Sequence, residues 1–360
     1  MKIAIIGSGN SGCAHAAKLI EYGHSVNLVK TSDCIHSDNF ERICKAGYIE
    51  CIDSTNDNKE FRAYPNLITR NIELGIKDVD VVMVLTQSLQ HRLLAPRIAP
   101  LLKSGQIVFI IPGNMGSAVF KKYTSCKDIV FVEAESTPYD ARICAPGVVN
   151  ILFRNVRNAI SFLEKENEKY LPLIDSLFGA HKYLRTNIIE SSMHNPNMIV
   201  HTVGSIMSAS RIEQAHGEFW MYREAFSPAI WNVINKLDAE KNTIIKTFGG
   251  KNPQSYLDAC KWRNEEDLSI DSLEVFKTYA ATGGPKGPDN IETRFIYEDV
   301  PMGLCLLENL GKLASVETPI ASALITIASA LLQTDFRTVA YSCDDLCLYL
   351  KFCGISNDFV

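Results

Sequence analysis

Residues 2–12 of this chain have the sequence KIAIIGSGNSG, and this stretch decides the fold that we expect. The apolar run Lys2–Ile6 is typical of a short buried strand. Residues 7–12 then form a GxGxxG pattern, and residues 13–21 have the spacing of a helix. A strand, a glycine loop and a helix in this order are typical of the first part of a doubly wound α/β sheet.

Each glycine of this loop has a physical reason for its place. Gly7 permits a tight turn, Gly9 lets the backbone approach a pyrophosphate, and Gly12 allows the helix to pack closely on the strand. The N-terminus of the helix then faces the phosphate charge. The loop therefore predicts a dinucleotide-binding site formed by Gly7, Ser8, Gly9, Asn10, Ser11 and Gly12.

The end of the second strand, Ser25–Val29, indicates which dinucleotide is bound. NAD-selective proteins carry an Asp or Glu there that hydrogen-bonds the ribose, whereas this chain continues with Lys30, Thr31 and Ser32. A cation beside two hydroxyls can hold a 2′-phosphate, so Lys30 and Thr31 favour NADP(H) over NAD(H) as the cofactor. The alternative is a solvated Lys30, with Asp33 reaching the ribose.

Two further strand ends are expected to border the nicotinamide. The apolar strand at residues 80–85 ends in Thr86 and Gln87, and the strand at residues 106–111 ends in Pro112. Ligands of doubly wound sheets lie at the carboxyl ends of the strands. Thr86, Gln87 and Pro112 are therefore predicted to contact the cofactor.

The rest of the first half completes the sheet in this interpretation. Residues 129–132 continue it, residues 147–153 and 158–162 are two strands that extend it, and residues 170–178 form a closing helix. His91, on a helix of this half, is expected to pack against its neighbours in preference to facing the cofactor.

The hydrophobic pattern changes after Asn187, where helical periodicity replaces the strand signals. We therefore expect an α/β protein of two domains. The first, at residues 1–185, is a Rossmann-type doubly wound sheet that binds the dinucleotide. The second, at residues 186–360, is an all-helical domain that carries the substrate chemistry.

One helix of the second half has a polar face. Asn195 and Pro196 begin it, since asparagine is a favoured N-cap and proline a favoured first residue. Small and polar residues then recur at spacings of three or four along one face, namely Asn197, His201, Gly204, Ser205 and Ser208. Such a face suits the lining of a polar cavity. The alternative is a buried histidine satisfied by a neighbouring helix.

A second cluster contains Arg294 and Asp299, after a loop at residues 283–288 that is either a lid or a rigid turn. In a purely structural interpretation, Asp299 is a helix N-cap and Arg294 pairs with a surface acid. In a functional interpretation, Arg294 supplies a guanidinium fork for a carboxylate. Asp299 then orients and charges a histidine.

Composition limits the kinds of partner. The 360 residues are 46% hydrophobic and 21% charged with a formal net charge of −5, which suits packed cores and small-molecule substrates. Without a long block of Lys and Arg, neither nucleic acid nor a membrane surface is expected as a partner. The eleven cysteines are scattered without a CxxC pair, which predicts reduced thiols and no metal site. The N-terminus has no secretory pattern, so we expect a cytoplasmic protein.

Five motifs, taken in their order and separation, resemble those of the octopine/nopaline (opine) dehydrogenase family. They are GSGNSG at residues 7–12, Glu135 with Pro138, Tyr139 and Arg142, Asn197 with His201, the spacing of Arg294 and Asp299, and the helix start Thr318-Pro319-Ile320. The resemblance covers nearly the whole chain. Members of that family reductively condense an amino acid with a 2-oxo acid such as pyruvate, using NADH or NADPH, in the cleft between a Rossmann domain and a helical domain.

The resemblance implies a role for each matching residue. His201 would be the catalytic acid and base, Asp299 its catalytic partner, and Arg294 a ligand of the substrate carboxylate. The rest of the expected substrate-binding set is Asn197, Tyr139 and Arg142. For the segment around Tyr139, a purely structural loop is the alternative.

Two other classes of function remain open. One is a hydroxyacid or sugar-phosphate dehydrogenase of the ketopantoate reductase or glycerol-3-phosphate dehydrogenase kind, which typically uses a lysine that residues 195–208 lack. The other is a regulator that senses NADP without turnover. Thr202 also departs from the opine dehydrogenase pattern, in which proline is frequent there. The expected partners are an amino acid and a 2-oxo acid, with a homodimer kept open as the assembly.

Overall fold

The computed structural model describes residues 1–33, 35–282, 284 and 286–355. Over these residues the chain divides into two compact units, Met1–Leu184 and Arg185–Val360. The first unit is α/β, and the second is helical, with no strand among its described residues. The predicted fold class is therefore confirmed.

The first unit is built from short strands and helices that alternate along much of its length. Its described strands are β1 Lys2–Ile6, β2 Ser25–Val29, β3 Ile49–Asp53, β4 Lys59–Ala63, β5 Leu67–Thr69, β6 Val81–Val84, β7 Ile107–Ile110, β8 Val130–Ala134, β9 Tyr139–Ala145, β10 Val148–Arg154, β11 Ala159–Phe162 and β12 Tyr183–Leu184. Its described α-helices are α1 Asn10–Glu21, α2 Ser37–Ala46, α3 Ile72–Ile76, α4 His91–Ile98, α5 Gly116–Lys121 and α6 Leu171–Phe178.

The main sheet has the order β12-β11-β8-β7-β6-β1-β2-β5. Its central strands are parallel, and β1 pairs with β2 on one side and with β6 on the other. The side chains of Ile3, Ala4, Ile5 and Ile6 are fully buried, as expected for a parallel strand that is covered on both faces. The carboxyl ends of β1, β2, β6 and β7 therefore lie at one edge of the sheet.

A second sheet has the order β4-β3-β10-β9, which corrects one prediction. Residues 147–153 were expected to extend the main sheet, but β10 pairs with β3 and β9 in this smaller sheet. The reason is visible in burial: Val149 and Ile151 are buried while Leu152 is exposed, so the strand has only one covered face. The prediction for residues 158–162 was right, because β11 pairs antiparallel with β8 in the main sheet.

The second unit consists of helices and connecting segments. Its described helices are α7 Ile188–Met193, α8 Asn197–Ile206, α9 Ala209–Ala215, α10 Met221–Glu224, α11 Pro228–Thr247, α12 Tyr256–Asn264, α13 Ser272–Thr282, α14 Arg294–Tyr297, a π-helix Val300–Leu304, α15 Cys305–Leu313, α16 Pro319–Leu332, α17 Phe336–Val339 and α18 Cys343–Phe352. The predicted lid or turn at residues 283–288 includes Gly283 and Pro285, which lie outside the described residues.

Helix α8 lies in the core of the second unit, since its residues from Met198 to Ile206 are all buried. The π-helix packs directly on it, because a Cβ added to Gly303 would come within 2.8 Å of the Met198 side chain. This close approach holds the chain that precedes the π-helix, including Asp299, against α8.

Two properties concern the chain as a whole. The described cysteines are all free thiols. Within the described residues, no single helix has the length and apolar character to cross a membrane; one pair, Pro319–Leu332 with Phe336–Phe352, reaches them only when joined across a bend of 104°.

Candidate active site

The glycine loop adopts a shape that only glycine permits at two positions. Gly7 has φ +116°, and a Cβ on it would lie 2.6 Å from the carbonyl oxygen of Leu85. A Cβ on Gly12 would overlap the carbonyl oxygen of Gly7. The loop between β1 and α1 is therefore as tight as the sequence predicts, and it ends at the N-terminus of α1.

Two orphaned hydroxyls show that this edge of the sheet suits a polar ligand. The Oγ of Ser8 and the Oγ1 of Thr86 are buried, and neither has a hydrogen-bond partner within the described chain. Buried polar atoms in folded proteins are rarely left unpaired. Together with the helix N-terminus they fit the pyrophosphate and ribose groups of a dinucleotide, whose nicotinamide supplies or accepts hydride when bound.

The side chains of Asn10 and Ser11 are already occupied. The Asn10 Oδ1 accepts a hydrogen bond from the backbone N–H of Ile143 at 2.8 Å, and the Ser11 Oγ lies 3.3 Å from Nδ1 of His15. These two residues of the predicted cofactor set thus stabilise the loop through their side chains. Their contact with the cofactor stays a prediction.

The cation predicted for a 2′-phosphate, Lys30, is buried. Its Nζ donates to the carbonyl oxygen of Ile35 and, at 3.1 Å, to the hydroxyl of Ser32, so it folds back under its own loop. The alternative is therefore wrong in expecting a solvated Lys30. Its second part, contact between Asp33 and the ribose, stays a prediction. Thr31 is half-buried beside Lys30.

A second cation at this edge, Arg70, was missed in the sequence. It follows β5, whose Thr69 pairs with Val29 at the end of β2. The Arg70 side chain is 42% exposed and donates to the carbonyl oxygen of Ser32 at 3.0 Å and to Asp33 Oδ1 at 3.3 Å. The position of Arg70 follows from strand β5, which has only three residues and is too short to be recognised in the sequence by its periodicity.

The loops after β6 and β7 are tied together. The amide of Asn114 donates to the hydroxyl of Ser88 at 2.8 Å, and β6 and β7 are neighbours in the sheet. Gln87 and Pro112 are both half-buried in these loops. Thr86, Gln87 and Pro112 thus follow adjacent strand ends, and their contact with the cofactor stays a prediction.

His91 packs, as expected. Its ring is fully buried and contacts Phe120 edge-on at 6.2 Å between centroids. Burial lowers the pKa of His91 to about 4, so the ring is neutral at physiological pH.

Tyr139 and Arg142 lie on β9, where the sequence suggested a polar loop. The Tyr139 ring is buried, packs on His15 and Phe178, and its hydroxyl lies 3.2 Å from that of Tyr22, just past the C-terminal end of α1. This placement is opposite to the glycine end of α1, so Tyr139 is left out of the proposed site. Arg142 is exposed and donates to the carbonyl oxygen of Ala141.

The second unit brings His201 and Asp299 together, although 98 positions separate them in the sequence. Nδ1 of His201 lies 2.8 Å from Oδ2 of Asp299, and both side chains are less than a tenth exposed. Asp299 makes no side-chain cap bond to the helix that follows it. Its carboxylate is therefore used by the histidine, and the capping alternative is wrong.

The start of α8 positions His201. Asn195 Oδ1 accepts a hydrogen bond from the backbone N–H of Asn197 at 3.0 Å, which is the N-cap role expected for this asparagine. His201 follows Asn197 by one helical turn, so the two residues lie on the same side of α8. Asn197 is half-buried, and its role in substrate binding stays a prediction.

Two further residues of the predicted polar face, Gly204 and Ser205, pack against a neighbouring helix. A Cβ on Gly204 would lie 2.8 Å from the sulfur of Met221, and the Ser205 hydroxyl lies 3.9 Å from the same sulfur. The small residues of α8 therefore make room for a neighbouring helix. Spacing alone could not distinguish this packing role from the lining of a polar cavity.

The electrostatics of the His201 and Asp299 pair suit proton transfer. Burial raises the pKa of Asp299 to about 7, and the nearby guanidinium of Arg294 opposes part of that rise. With the carboxylate on Nδ1, Nε2 is the ring nitrogen through which His201 would exchange a proton with a substrate. A histidine whose second ring nitrogen is held by a buried carboxyl group is a common arrangement for general acid and base catalysis.

Arg294 makes an ion pair with an acid, as the structural interpretation anticipated, but that acid, Glu298, is buried and not on the surface. Nη1 of Arg294 lies 3.3 Å from Oε2 of Glu298, and the Arg294 side chain is 48% exposed. This single contact uses one of the five N–H donors of the guanidinium. Binding of a substrate carboxylate by Arg294 stays a prediction.

Sequence reasoning missed Phe295. Its ring stacks on the ring of His201 with 3.6 Å between centroids and 6° between planes. Phe295 precedes Asp299 by four positions, so the spacing of a helical turn could have indicated that both face the same neighbour.

Comparisons with known proteins agree with both units. Residues 184–332 match the family model described as NAD/NADP octopine/nopaline dehydrogenase, alpha-helical domain. Residues 3–125 match the model described as ketopantoate reductase PanE/ApbA.

Two curated relatives extend over nearly the whole chain. An opine dehydrogenase of Arthrobacter sp. (strain 1C) is 29% identical over 343 residues, which are 93% of this chain and 91% of that protein. A vitopine synthase of Allorhizobium ampelinum is 20% identical over 94% of each protein.

Solved structures share the fold. An octopine dehydrogenase in complex with NADH and agmatine has a TM-score of 0.80 at 17% identity, covering 99% of this chain and 98% of that chain. A yersinopine dehydrogenase with bound NADP+ has a TM-score of 0.74 at 12% identity, covering 99% of each chain. The chain thus resembles opine dehydrogenases over almost its whole length, and most of its second unit matches the α-helical domain of the octopine/nopaline dehydrogenases.

Proposed function

We propose that this protein is an NAD(P)H-dependent opine dehydrogenase, which reductively condenses an amino acid with a 2-oxo acid. The observation that carries the proposal is the buried contact between Nδ1 of His201 and Oδ2 of Asp299, at 2.8 Å, in the unit that matches the family's α-helical domain. The relatives with the same fold include an octopine dehydrogenase solved with NADH and L-arginine and one solved with NADH and pyruvate.

The reaction makes one C–N bond and releases one water. The amine attacks the carbonyl carbon of the 2-oxo acid, and the carbonyl oxygen leaves as water. The resulting imine carbon is then reduced, for which the coenzyme, when bound, would supply the hydride. His201 gives a proton to the leaving oxygen and takes one from the amine nitrogen through Nε2. Asp299 holds Nδ1, which fixes the tautomer and stabilises the charged ring.

Arg294 is the proposed ligand of a substrate carboxylate. Its guanidinium has donors beyond the one that faces Glu298, and a planar fork binds a carboxylate bidentately. Fixing the carboxylate orients the carbonyl carbon, and alignment of reactants can recover about 7–11 kcal/mol of a barrier.

A matrix of amino acids and 2-oxo acids tests the function. Loss of NADPH or NADH absorbance should require both substrates, and the product mass should equal the sum of the two substrates less one oxygen atom. The His201→Asn variant, assayed in parallel, should retain coenzyme binding and lose this amine-dependent oxidation. Coenzyme binding without turnover in any mixture would instead identify a sensor.

A reductase that needs no amine is the second candidate. It is favoured by the ketopantoate reductase match, but that match ends at residue 125, within the first unit. The same matrix separates the two functions, because such a reductase would oxidise the coenzyme with a 2-oxo acid alone.

NADP(H) is the proposed preferred coenzyme. Two cations at the ends of β2 and β5, Lys30 and Arg70, surround the loop where an adenosine 2′-phosphate would lie, and Arg70 is the exposed one. Replacement of Arg70 by Ala should weaken NADPH binding by roughly 10-fold or more, as expected for loss of a charge-assisted hydrogen bond, and leave NADH binding nearly unchanged. Fluorescence titration with both coenzymes measures this, and equal losses for both would contradict the preference.

A further inference from the structure

The stack of Phe295 on His201 differs from the other described contacts of buried histidine rings. The two planes lie within 6° of each other at 3.6 Å. By contrast, His15 meets Tyr139 at 74°, and His181 meets Phe109 at 82°. Aromatic pairs prefer edge-on or offset stacking, and a centroid distance of 3.6 Å between near-parallel rings leaves little offset, so the surroundings have to hold this stack in place.

The local fold explains how this stack is held. Helix α14 is a single turn that begins after Thr293, whose hydroxyl accepts from the backbone N–H of Phe295. Phe295 and Asp299 are four positions apart and therefore face the same side. The π-helix Val300–Leu304, which packs on α8, anchors the end of this segment. One short segment thus brings a carboxylate to an edge of the His201 ring and a flat ring to its face.

These two contacts restrain different motions of the imidazole. The hydrogen bond to Asp299 fixes the direction of Nδ1 but permits the ring plane to tilt about that bond. The Phe295 ring, pressed against the face of the imidazole, opposes that tilt. Together they fix the direction in which Nε2 points.

We propose that Phe295 is a positioning residue, which holds the plane of the His201 imidazole so that Nε2 is aimed for proton transfer. This inference rests on the proposed function, because it assigns Phe295 a part in the same acid and base chemistry. Phe295 is 8% exposed and His201 is 6% exposed, so the stack is shielded from water. A hydrophobic side chain that only filled space at position 295 would not need to be flat.

The test compares Phe295→Leu with Phe276→Leu. Both remove a buried phenylalanine of the second unit, but Phe276 packs among Tyr222, Phe226 and Trp231 and is not on His201. Phe295→Leu should lower kcat about 10-fold, with the KM values of both substrates and the coenzyme Kd unchanged within about two-fold. Phe295→Tyr, which keeps a flat ring, should restore kcat. Phe276→Leu should lower thermal stability without this selective loss of kcat.

A double-mutant cycle separates positioning from packing. In a His201→Asn background, Phe295→Leu should have almost no further effect on the residual rate, since its effect acts through the imidazole. An equal loss of rate in both backgrounds would overturn the proposal, and so would an unchanged kcat in the folded Phe295→Leu protein. If Phe295→Leu does not fold, Phe295→Met takes its place, as a flexible chain of similar volume.

A spectroscopic measurement adds a readout that packing alone would not move. With ¹⁵N-labelled histidine, wild-type His201 should show one tautomer, protonated at Nδ1, and Phe295→Leu should show a mixture. The outcomes also separate this inference from the proposed function. The proposed function is contradicted if the wild-type protein shows no amine-dependent turnover or if the His201→Asn variant is active. If His201→Asn is inactive but Phe295→Leu has the wild-type kcat, only the role of Phe295 is contradicted.

Discussion

His91 and His181 of the first unit and His201 of the second unit are all buried, but they differ in what surrounds their rings. In the first unit, His91 and His181 are fully buried, and no described residue hydrogen-bonds either ring nitrogen. In the second unit His201 is nearly as buried, but a carboxylate lies on one nitrogen and an aromatic ring lies on one face. Burial lowers the pKa of His91 to about 4 and that of His181 to about 3, so these two rings pack as neutral groups.

The comparison teaches that burial by itself makes a histidine inert. Removing an imidazole from water disfavours its charged form, and only a compensating partner such as Asp299 lets a buried ring accept a proton. The candidate acid and base is therefore recognised by its partner and not by its depth. The following experiments test that distinction.

The largest difference is expected in turnover. His201→Asn should lower kcat by about 10³- to 10⁴-fold, at the upper end of what general acid and base catalysis contributes, while coenzyme binding is retained. His181→Leu is the matched control, because it removes a buried ring whose two nitrogens make no hydrogen bond with the described residues. Steady-state kinetics with both substrates measures the contrast. Similar rates in the two variants would remove His201 from the mechanism.

Removal of the carboxylate charge should have the next largest effect. Asp299→Asn keeps the shape of the side chain but no longer favours the charged imidazole, so kcat should fall by about 10²-fold. Asp238→Asn provides a comparison, since that buried acid pairs with Lys241 at 2.6 Å and accepts a hydrogen bond from the backbone N–H of Tyr256. We expect its loss to lower the melting temperature and to change kcat little. A stable, fully active Asp299→Asn protein would contradict the pair's role.

Removal of the Arg294 guanidinium should weaken binding of the 2-oxo acid. Arg294→Ala should raise the KM for the 2-oxo acid by roughly 10- to 100-fold, the worth of about 1.5–3 kcal/mol for a charged hydrogen bond. Arg211 is a close control, because it is also 48% exposed and also pairs with a glutamate, Glu224. Arg211→Ala should leave the KM unchanged. If the two variants behave alike, the carboxylate is bound elsewhere.

The smallest effect is expected in the dependence of the free energy of unfolding on pH. Because the pKa values of His91 and His181 are lowered by burial, their stabilising contribution is fully present above pH 6.5 and is lost as the pH falls toward 4. In that range, each ring should lower the free energy of unfolding by about 1.4 kcal/mol for each unit by which the pH falls. Urea unfolding of His181→Leu at pH 7.5 and 5.5 should show a smaller difference than in the wild-type protein. An equal difference in both proteins would mean that His181 is not the group that titrates.

The parts of the fold that the sequence predicted are those with local causes. The turn at Gly7 and the contact at Gly12 follow from steric limits within a few residues, so the pattern identified them. Continuous apolar runs such as Val81–Val84 likewise indicated strands covered on both faces. The pairing of His201 with Asp299 was expected from the family resemblance and from the residue types.

The rest depended on which distant segments meet. The backbone turn that buries Lys30 under its loop, and the pairing of β5 with β2 that brings Arg70 there, have no local signal. The stack on Phe295 arises because a one-turn helix packs on α8, and the small residues of α8 gave the same spacing for packing as for a cavity. Hydrophobic periodicity indicates which face of a helix or strand is buried, but it does not indicate which other segment covers that face.

The small sheet has a consequence for biosynthesis. Its centre is the parallel pair of β3 and β10, in which Glu50 to Asp53 align with Val148 to Ile151. A ribosome adds roughly 5–20 residues each second. Because β10 follows β3 by about 98 residues, the edge of β3 that pairs with β10 stays unpaired for roughly 5–20 s during synthesis. During that interval the β3 and β4 hairpin offers unpaired backbone groups to any other strand. Nascent chains halted before residue 148 should therefore be more prone to aggregation and proteolysis than chains halted after β10 has left the ribosome.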